Sequence, residues 1–267
     1  MSALLPALFV SHGAPTLPLE DRPATRFLRG LLAGMPRPRA ILMISAHHEA
    51  DGAEVSLAER PETIHDFRGF PDALRAMRHP APGDPALARQ VAGLLRGAGI
   101  ATAEHPTRGL DHGAWTPLVL MDPQARIPVV SLSIGLGRDA RWHFDMGRAL
   151  APLRADGVLI VGSGAATHNL RAFFRGRFGV ADEAPEARVF ADALAAALES
   201  GAWQDVLNGP DALSGGRAAH PTDDHIMPLY VAMGAGGAGA RRLHASTNHG
   251  VIAMDAYAFG GAAAPAP

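Results

Sequence analysis

The sequence predicts an α/β fold, a single domain in which a central, mostly parallel sheet has helices on both of its faces. The apolar runs at residues 41–44 and 158–161 have the length of strands and no polar alternation, so both faces of each strand are expected to be buried, as in parallel sheets. Segments with helical spacing lie between the apolar runs, which is the order that connects parallel strands. A chain of 267 residues with 48% hydrophobic content can build one core of this kind.

The first half of the chain opens with a predicted strand at residues 7–10 and a helix at 21–35, whose apolar side chains recur on one side. Pro36 and Pro38 end this helix, and the main strand begins at Ala40. Asp84 followed by Pro85 is typical of a helix start and predicts a helix at residues 84–95. Another helix is predicted at 117–121, and strands are predicted at 55–57 and 100–103.

The second half alternates strands and helices in the same way. A Thr-Asp-Asp sequence predicts the start of a helix at residues 223–234, while no regular element is predicted at 201–219. The other predicted elements are strands at 127–134, 158–161, 243–247 and 251–257 and helices at 140–153 and 183–198. Because no linker or repeat interrupts the chain, residues 1–259 are expected to form one domain, followed by a disordered tail at 260–267.

The composition excludes several classes of function. A formal net charge of -2 and an isoelectric point near 6.7 give no reason to expect nucleic acid or a membrane as a partner. The absence of lysine excludes Schiff-base chemistry and the lysine of a phosphate-binding loop. The absence of cysteine excludes disulfides, thiol nucleophiles and thiolate metal sites. No signal sequence or membrane-spanning run is recognisable, so a cytoplasmic protein is expected.

The 13 histidines are the unusual feature of the composition, and several of them follow predicted strands. His12, His47 and His168 each come soon after an apolar run. Ligands of open α/β sheets bind beyond the carboxyl ends of the strands, so imidazoles at these positions can meet at one edge. His225 lies near the start of a predicted helix, beside two aspartates that can offset the positive end of the helix dipole. The pattern predicts a metal site, although any one of these histidines could instead bond to the backbone at the edge of the sheet.

The polar, aromatic loop at residues 60–71 has two interpretations. It could be a packed loop held together by its aromatic side chains. It could also form a wall of a substrate pocket that includes His65, with Arg68 able to meet a carboxylate. Of the remaining histidines, two are expected to be structural, His48 and His79, and three have no assigned role, His220, His244 and His249.

Seven motifs occur in an order that is found in one known family of enzymes. They are His-Gly-Ala-Pro at 12–15, Ser-Ala-His at 45–47, Thr-Ile-His-Asp-Phe-Arg-Gly-Phe-Pro at 63–71, Asp-His-Gly-Ala-Trp at 111–115, Trp-His-Phe-Asp-Met-Gly at 142–147, Gly-Ser-Gly with His-Asn-Leu between 162 and 170, and Asp-His-Ile-Met-Pro-Leu at 224–229. The set resembles the DOPA 4,5-dioxygenase family of class III extradiol ring-cleaving dioxygenases, which is related to the catalytic subunit of protocatechuate 4,5-dioxygenase. The resemblance covers most of the chain.

The resemblance implies a catalytic domain with a non-heme metal site. On this basis His12, His47 and His225 are the metal ligands. His168 is the acid/base residue at the same edge, and it acts as a fourth ligand in zinc-loaded relatives, while His112 lies near the substrate and dioxygen. The wider class uses two histidines and a glutamate, whereas this family has a third histidine, here His225.

The expected function is extradiol cleavage of a catecholic substrate, DOPA-like or otherwise para-substituted, with both atoms of dioxygen inserted at Fe(II). Zinc suits the same ligands but is redox-inert, so iron is expected for activity, while Zn(II) is able to occupy the site in purified protein. The partners are then a small catecholic molecule and O2. The sequence does not identify the catechol or the ring bond that is cleaved, and it leaves a homo-oligomer open.

Two alternatives to this function stay open. A zinc hydrolase could use the same histidines, with Glu49 or Asp51 as the carboxylate base that it needs. A non-enzymatic metal-binding protein could also be built on the same fold. Dinucleotide binding at Gly162 and Gly164 is disfavoured, because Thr167 replaces the third glycine of that motif.

Overall fold

The computed structural model describes residues 4–174 and 185–261, which form a mixed sheet with helices on both faces. The strands are β1 (Ala7–Ser11), β2 (Ala40–Ala50), β3 (Ala53–Ser56), β4 (Thr102–His105), β5 (Val129–Gly135), β6 (Val158–Gly164), β7 (Ala240–His244), β8 (Thr247–Asn248), β9 (Ile252–Ala253) and β10 (Ala256–Phe259). The α-helices are α1 (Pro23–Gly30), α2 (Asp72–Ala76), α3 (Pro85–Gly97), α4 (His112–Met121), α5 (Ala140–Leu150), α6 (Leu170–Phe174), α7 (Pro185–Ser200), α8 (Trp203–Leu207), α9 (Gly216–Ala219) and α10 (Met227–Gly236).

Eight strands form the main sheet in the order β4-β3-β5-β2-β6-β1-β10-β7. The central strands β5, β2, β6 and β1 are parallel, so Ile41 pairs with Val129 on one side and with Leu159 on the other. Antiparallel pairs flank them, β3 with β5 and β10 with β1. Every residue of β1, β5 and β6 is buried, as parallel strands between two helical layers require. The predicted α/β fold with a mostly parallel sheet is confirmed.

Helices cover both faces of the sheet and close two apolar cores. Apolar side chains of α3, α5, α7 and α10 fill one core, and those of α1 and α4 fill the other. The α5 and α10 backbones come close because glycines face the partner helix. A Cβ atom at Gly147 would lie 2.1 Å from the carbonyl oxygen of Val231, and one at Gly234 would lie 2.0 Å from that of Phe144. Any larger residue at these positions would separate the two helices.

His143 of α5 is buried and joins this helix to the end of β5. The Gly135 N–H donates a hydrogen bond of 3.0 Å to Nε2 of His143, and Nδ1 of His143 donates one of 2.8 Å to the carbonyl oxygen of Asp139. Burial lowers the pKa of His143 to about 4. The imidazole is therefore neutral at physiological pH and holds the loop between β5 and α5 in place.

Several element boundaries differ from the prediction. The strand β2 continues to Ala50, well beyond its apolar run, and α1 ends at Gly30 instead of residue 35. The segment 201–219 contains α8 and α9, which are too short to show an apolar period in sequence. The predicted strand at 251–257 is interrupted, because β9 turns back onto β8 before β10 joins the sheet.

Two predictions extend beyond the described residues. The helix predicted at 183–198 is described from Pro185 onwards, and residues 183 and 184 lie outside the described ranges. Of the predicted tail, Gly260 and Gly261 are described and residues 262–267 are not. Within residues 4–174 and 185–261, no helix combines the length and the apolar character needed to cross a bilayer.

Candidate metal centre

Three neighbouring strands and one helix bring histidines to a single edge of the sheet. The strands β1, β6 and β2 are adjacent and parallel, so their carboxyl ends lie side by side. His12 follows β1 directly. Its backbone N–H donates a hydrogen bond of 2.9 Å to the carbonyl oxygen of Gly164, the last residue of β6. His168 comes shortly after β6, and His225 lies in the 3₁₀ turn that leads into α10. The convergence expected from the sequence is observed.

His47 reaches this edge through an irregularity in β2. The pairing of β2 with β5 changes register between Ser45 and Glu49, so the three residues between them have no partner in that ladder. Such bulges redirect side chains. His47 lines a cavity at the sheet edge. His48 is buried instead, and its Nδ1 lies 2.9 Å from the hydroxyl oxygen of Ser131 in β5. The strand therefore continues beyond its apolar run, and the bulge orients the histidine.

The Nε2 atoms of three histidines lie close together. The Nε2 atom of His47 is 3.2 Å from that of His12 and 3.2 Å from that of His225. Two nitrogen ligands that bind one ion tetrahedrally at about 2.0–2.1 Å lie about 3.3–3.4 Å apart. The two measured separations therefore suit ligands of a common metal ion.

Hydrogen bonds to the second ring nitrogen orient two of these imidazoles. The hydroxyl of Ser163 donates to the carbonyl oxygen of Gly113, so it accepts from Nδ1 of His12 at 3.2 Å. Nδ1 of His225 likewise donates to the carboxylate of Asp224. In each ring a proton on Nδ1 leaves the lone pair of Nε2 available, which is the tautomer that a metal requires.

Burial keeps the three imidazoles neutral. It lowers the pKa of His12 well below the usual value, that of His47 to about 4 and that of His225 to about 3. Neighbouring histidines contribute to each shift. Neutral imidazoles are competent metal ligands. The Nε2 lone pairs of neighbouring rings face one another here, an arrangement that a shared cation would stabilise.

His168 and His112 complete the cluster on either side of the three. The His168 ring stacks on that of His225, with centroids 3.4 Å apart and an interplanar angle of 9°. The His112 ring lies 3.9 Å from that of His47. Ligand atoms of His12, His47 and His112 all lie within 4.8 Å of one another. The same holds for His168, Asp224 and His225. All five histidines that the sequence singled out for metal binding and catalysis thus lie together.

Asp66 orients His112, a role that the sequence did not reveal. Its carboxylate accepts hydrogen bonds from the backbone N–H of His112 at 3.0 Å and from Nδ1 at 2.9 Å. Burial raises the pKa of Asp66, but the hydrogen bonds with His112 outweigh this effect and lower the pKa to about 2. The two residues are 46 positions apart, so no local spacing connects them, and only the fold pairs the aspartate with the start of α4.

The Gly-Ser-Gly sequence at the end of β6 serves packing around the site. A Cβ atom at Gly162 would lie 2.2 Å from the carbonyl oxygen of Pro228, and one at Gly164 would lie 2.1 Å from that of His225. The glycines therefore let the start of α10 lie directly on β6. This approach brings His225 to the edge where His12 and His47 lie, and it accounts for the glycines without a dinucleotide.

A cavity of about 460 Å³ opens over the histidine cluster. Its upper walls are apolar and include Phe67, Phe70, Phe173, Phe174 and Ile252. All five clustered histidines lie among its lining residues. A pocket of this size with polar groups at its base and aromatic walls suits a small aromatic ligand.

His65 and Arg68 are not among the residues that line this cavity. Nε2 of His65 lies 3.1 Å and 3.2 Å from the carbonyl oxygens of Leu74 and Met77, and its ring packs beside Trp115. Arg68 is exposed between the two phenylalanines of the wall. The loop that carries both residues contributes the aromatic wall, while substrate binding by these two side chains stays a prediction.

Three other histidines lie outside the cluster of five: His79, His220 and His244. His220 is buried and donates a hydrogen bond of 2.9 Å to the carbonyl oxygen of Ala166, in the loop that leads to His168. His244 stacks on Phe27. His79 is buried, as expected for a structural residue.

Comparison with known proteins places this architecture in a family. The family model described as the catalytic LigB subunit of aromatic ring-opening dioxygenase matches residues 6–260. The 4,5-DOPA dioxygenase extradiol of Beta vulgaris is 40% identical over 257 residues, which cover 94% of this chain and 95% of the relative. The protein of the same name from Escherichia coli K12 is 41% identical over 239 residues, covering 88% and 86%.

Among solved structures, the fold is similar to that of an uncharacterized protein from Escherichia coli K12. The two share a TM-score of 0.80 and 34% sequence identity, and the match covers 96% of this chain and 100% of the other. Sequence and structure comparisons therefore agree over nearly the whole chain.

Proposed function

Because the chain belongs to the family of catalytic LigB subunits of aromatic ring-opening dioxygenases, we propose that it is an extradiol catechol dioxygenase. The reaction inserts both atoms of dioxygen into a catecholic substrate and opens the ring beside its diol. The observation that carries the proposal is the convergence of the Nε2 atoms of His12, His47 and His225 at the base of an aromatic-walled cavity.

The donor set suits a divalent transition metal. His12, His47 and His225 would hold the ion through Nε2, since all three are buried or half-buried and neutral. Imidazole ligands accept both iron and zinc. A ferrous ion supplies the redox-active centre that chemistry with dioxygen requires, whereas zinc is redox-inert. We therefore propose Fe(II) for activity, with Zn(II) able to occupy the same ligands. Neutral ligands leave the charge of the cation uncompensated, which favours an anionic catecholate.

Two further histidines handle protons beside the metal site. His168 would take a proton from a substrate hydroxyl and later return it, because its ring lies over that of His225 at the cavity wall. His112 presents Nε2 towards the proposed ligands His12 and His47, since its Nδ1 is held by Asp66. It would contact the reacting oxygen atoms. General acid–base assistance of this kind is typically worth about 10²–10⁴ in rate.

The aromatic wall orients the substrate ring and reduces access of water. Phe67 lies edge-on to His112, with ring centroids 5.9 Å apart, so the aromatic wall adjoins the histidine cluster directly and a substrate ring above the cluster would pack against it. Excluding water strengthens the electrostatic contacts of the bound diol with the charged site. The small-molecule partners are then a catechol and O2.

Oxygen uptake tests the proposal directly. Protein reconstituted with Fe(II) is expected to consume O2 in the presence of a catechol and to form a product with the visible absorption of a ring-opened semialdehyde. Zinc-loaded protein is expected to do neither. Absence of uptake across a panel of catechols, by protein with a stoichiometric content of iron, would falsify the assignment.

The same samples separate the alternative functions. A zinc hydrolase would act on esters or amides without oxygen, and Glu49 is the carboxylate of the cavity nearest in sequence to His47. A metal-binding protein would hold iron and turn nothing over. Turnover that depends on both iron and oxygen excludes both alternatives. A cytoplasmic location and a homo-oligomeric state stay predictions from the sequence.

A further inference from the structure

We propose that His220 is a positioning residue, which holds His168 where it can exchange protons with a bound substrate. The inference rests on the proposed function and adds to it a residue from behind the site. His220 is not among the described residues that line the cavity over the histidine cluster. It would act on the loop between β6 and α6 that carries His168, and not on the substrate or the metal.

The imidazole of His220 is buried and bonds directly to this loop. Its Nε2 donates a hydrogen bond of 2.9 Å to the carbonyl oxygen of Ala166, two residues before His168. Its ring lies edge-on to Phe190 of α7, with centroids 5.2 Å apart, which restricts the orientation of the ring. Burial lowers the pKa of His220 to about 4, so the ring is neutral at physiological pH and carries its proton on Nε2.

Packing alone does not account for a histidine at this position. Nδ1 of His220 is buried and has no hydrogen-bond partner within residues 4–174 and 185–261. An unpaired polar atom in the interior destabilises the folded state, and a leucine would fill much of the same space without one. The contribution that an apolar side chain cannot make is the hydrogen bond to Ala166.

Neighbouring hydrogen bonds hold the same loop on either side of this contact. The backbone N–H of Ala166 donates to the hydroxyl of Ser11 at 3.0 Å, and that of His168 donates to the carbonyl oxygen of Ala219 at 2.8 Å. Ala219 directly precedes His220, so consecutive residues of one segment bind the loop at two points. Loss of the His220 bond would release the peptide group that follows Ala166, which leads directly to His168.

A small rotation of this peptide group would move the His168 ring. The ring lines the cavity and stacks on His225, with centroids 3.4 Å apart. Proton transfer requires donor and acceptor within hydrogen-bond reach, so a displacement of about 1 Å can cost about 10² in rate. The ligands His12 and His47 are held by β1 and β2, so the metal should stay bound when the loop shifts.

Two substitutions of His220 test this role. His220→Leu removes the hydrogen bond and keeps the site apolar, whereas His220→Gln keeps an N–H donor at a similar reach. In the iron-loaded enzyme, His220→Leu should lower kcat about tenfold to a hundredfold, with the iron content unchanged and KM for a catechol within twofold. His220→Gln should recover most of the lost kcat.

Two controls separate positioning from a general loss of stability. His143→Leu removes another buried histidine that bonds to the backbone, in α5, so it should keep kcat per bound iron within twofold. The second control is a double variant. When His168→Ala is already present, His220→Leu should change kcat by less than twofold, because the residue through which it acts is absent.

Hydrogen exchange gives a readout that does not depend on turnover. In anaerobic iron-loaded protein, peptides that cover residues 165–169 should exchange about tenfold faster in His220→Leu than in the unaltered protein. Peptides from β2 should exchange at an unchanged rate, since the fold as a whole stays intact. His220→Gln should restore slow exchange in the loop.

Loss of iron from His220→Leu overturns the proposal, as does a kcat within twofold of that of the unaltered enzyme. Losses in kcat that multiply in the double variant, or faster exchange in β2 as well as in the loop, do so too. If the unaltered iron-loaded protein turns over no catechol, the proposed function fails. The exchange of residues 165–169 then still decides whether His220 holds the loop.

Discussion

Gly113 offers the sharpest test of how the protein positions its metal ligands. It lies in the first turn of α4, beside the rings of two proposed ligands. A Cβ atom there would lie 2.9 Å from Cδ2 of His47, 3.2 Å from Cε1 of His12 and 2.5 Å from the hydroxyl oxygen of Ser45. That hydroxyl is held by Asp111 and cannot move away without losing its hydrogen bond. The substitution Gly113→Ala therefore pushes both imidazoles outward.

The size of the effect follows from these distances. Nonbonded carbon atoms rest at about 3.5–4.0 Å, so the His47 ring must shift by about half an ångström or more. Metal sites tolerate deviations of about 0.2 Å in ligand distance, and we expect metal affinity to fall tenfold to a hundredfold. Overpacking costs about 1–3 kcal/mol, and alanine in a helix returns about 0.5–1 kcal/mol, so the net loss of folding stability is about 0–2.5 kcal/mol.

The assay compares metal affinity with stability in the same variants. Affinity is measured by competition with a chromophoric chelator, and the free energy of unfolding of the apoprotein is measured with urea. Gly93→Ala in α3 is the matched control, because Gly93 is an exposed helical glycine with no atom within 4 Å of its would-be Cβ. It should be neutral or stabilising and keep its metal. If Gly113→Ala binds metal within twofold of the unaltered protein, the glycine does not set the ligand geometry.

Three further predictions concern the cluster and the fold. His168→Ala should keep its metal and lose about 10²–10⁴ in turnover, whereas His12→Ala should lose the metal; equal metal loss in both, measured by elemental analysis, would make His168 a ligand. Asp66→Asn should lower kcat about tenfold to a hundredfold at unchanged metal content, because His112 loses its charged partner; an unchanged kcat contradicts this role. The apoprotein should lose stability as the pH falls from about 6.5 to 4, because His143 binds a proton in the unfolded chain but not when it is buried. The substitution His143→Gln should reduce this loss of stability by up to about 3 kcal/mol. An unchanged dependence of the free energy of unfolding on pH, measured with urea, would refute the prediction.

Local patterns in the sequence predicted the parallel core well. The apolar runs of β2 and β6 were recognisable as strands, because a strand that is buried on both faces has no polar side chains in alternation. Both are central strands of the sheet. Histidines that follow such strands meet at one edge because parallel strands end on the same side. Histidines clustered at this edge therefore followed from strand order and residue type, whereas the choice of His12, His47 and His225 as ligands came from the resemblance to a known family.

Contacts between residues far apart in the chain could not be predicted from these local patterns. The bulge in β2 depends on the register with β5, which apolar residues do not specify beyond Ser45. Asp66 acquires its role only where its loop meets the start of α4. Arg68 is exposed in the described structure even though the sequence made it a candidate for substrate contact, because the loop turns its phenylalanines inward.

The amino-acid sequence by itself determined the fold class, the positions of several histidines after strands and the exclusion of thiol and lysine chemistry, because these depend on residue type and local periodicity. The tertiary structure alone decided which nitrogen of each imidazole faces the cluster and which carboxylates hold the rings. Those features depend on hydrogen bonds between residues far apart in the chain, such as His12 with Ser163 and His112 with Asp66. Distances of this kind are set by packing, which no local pattern encodes.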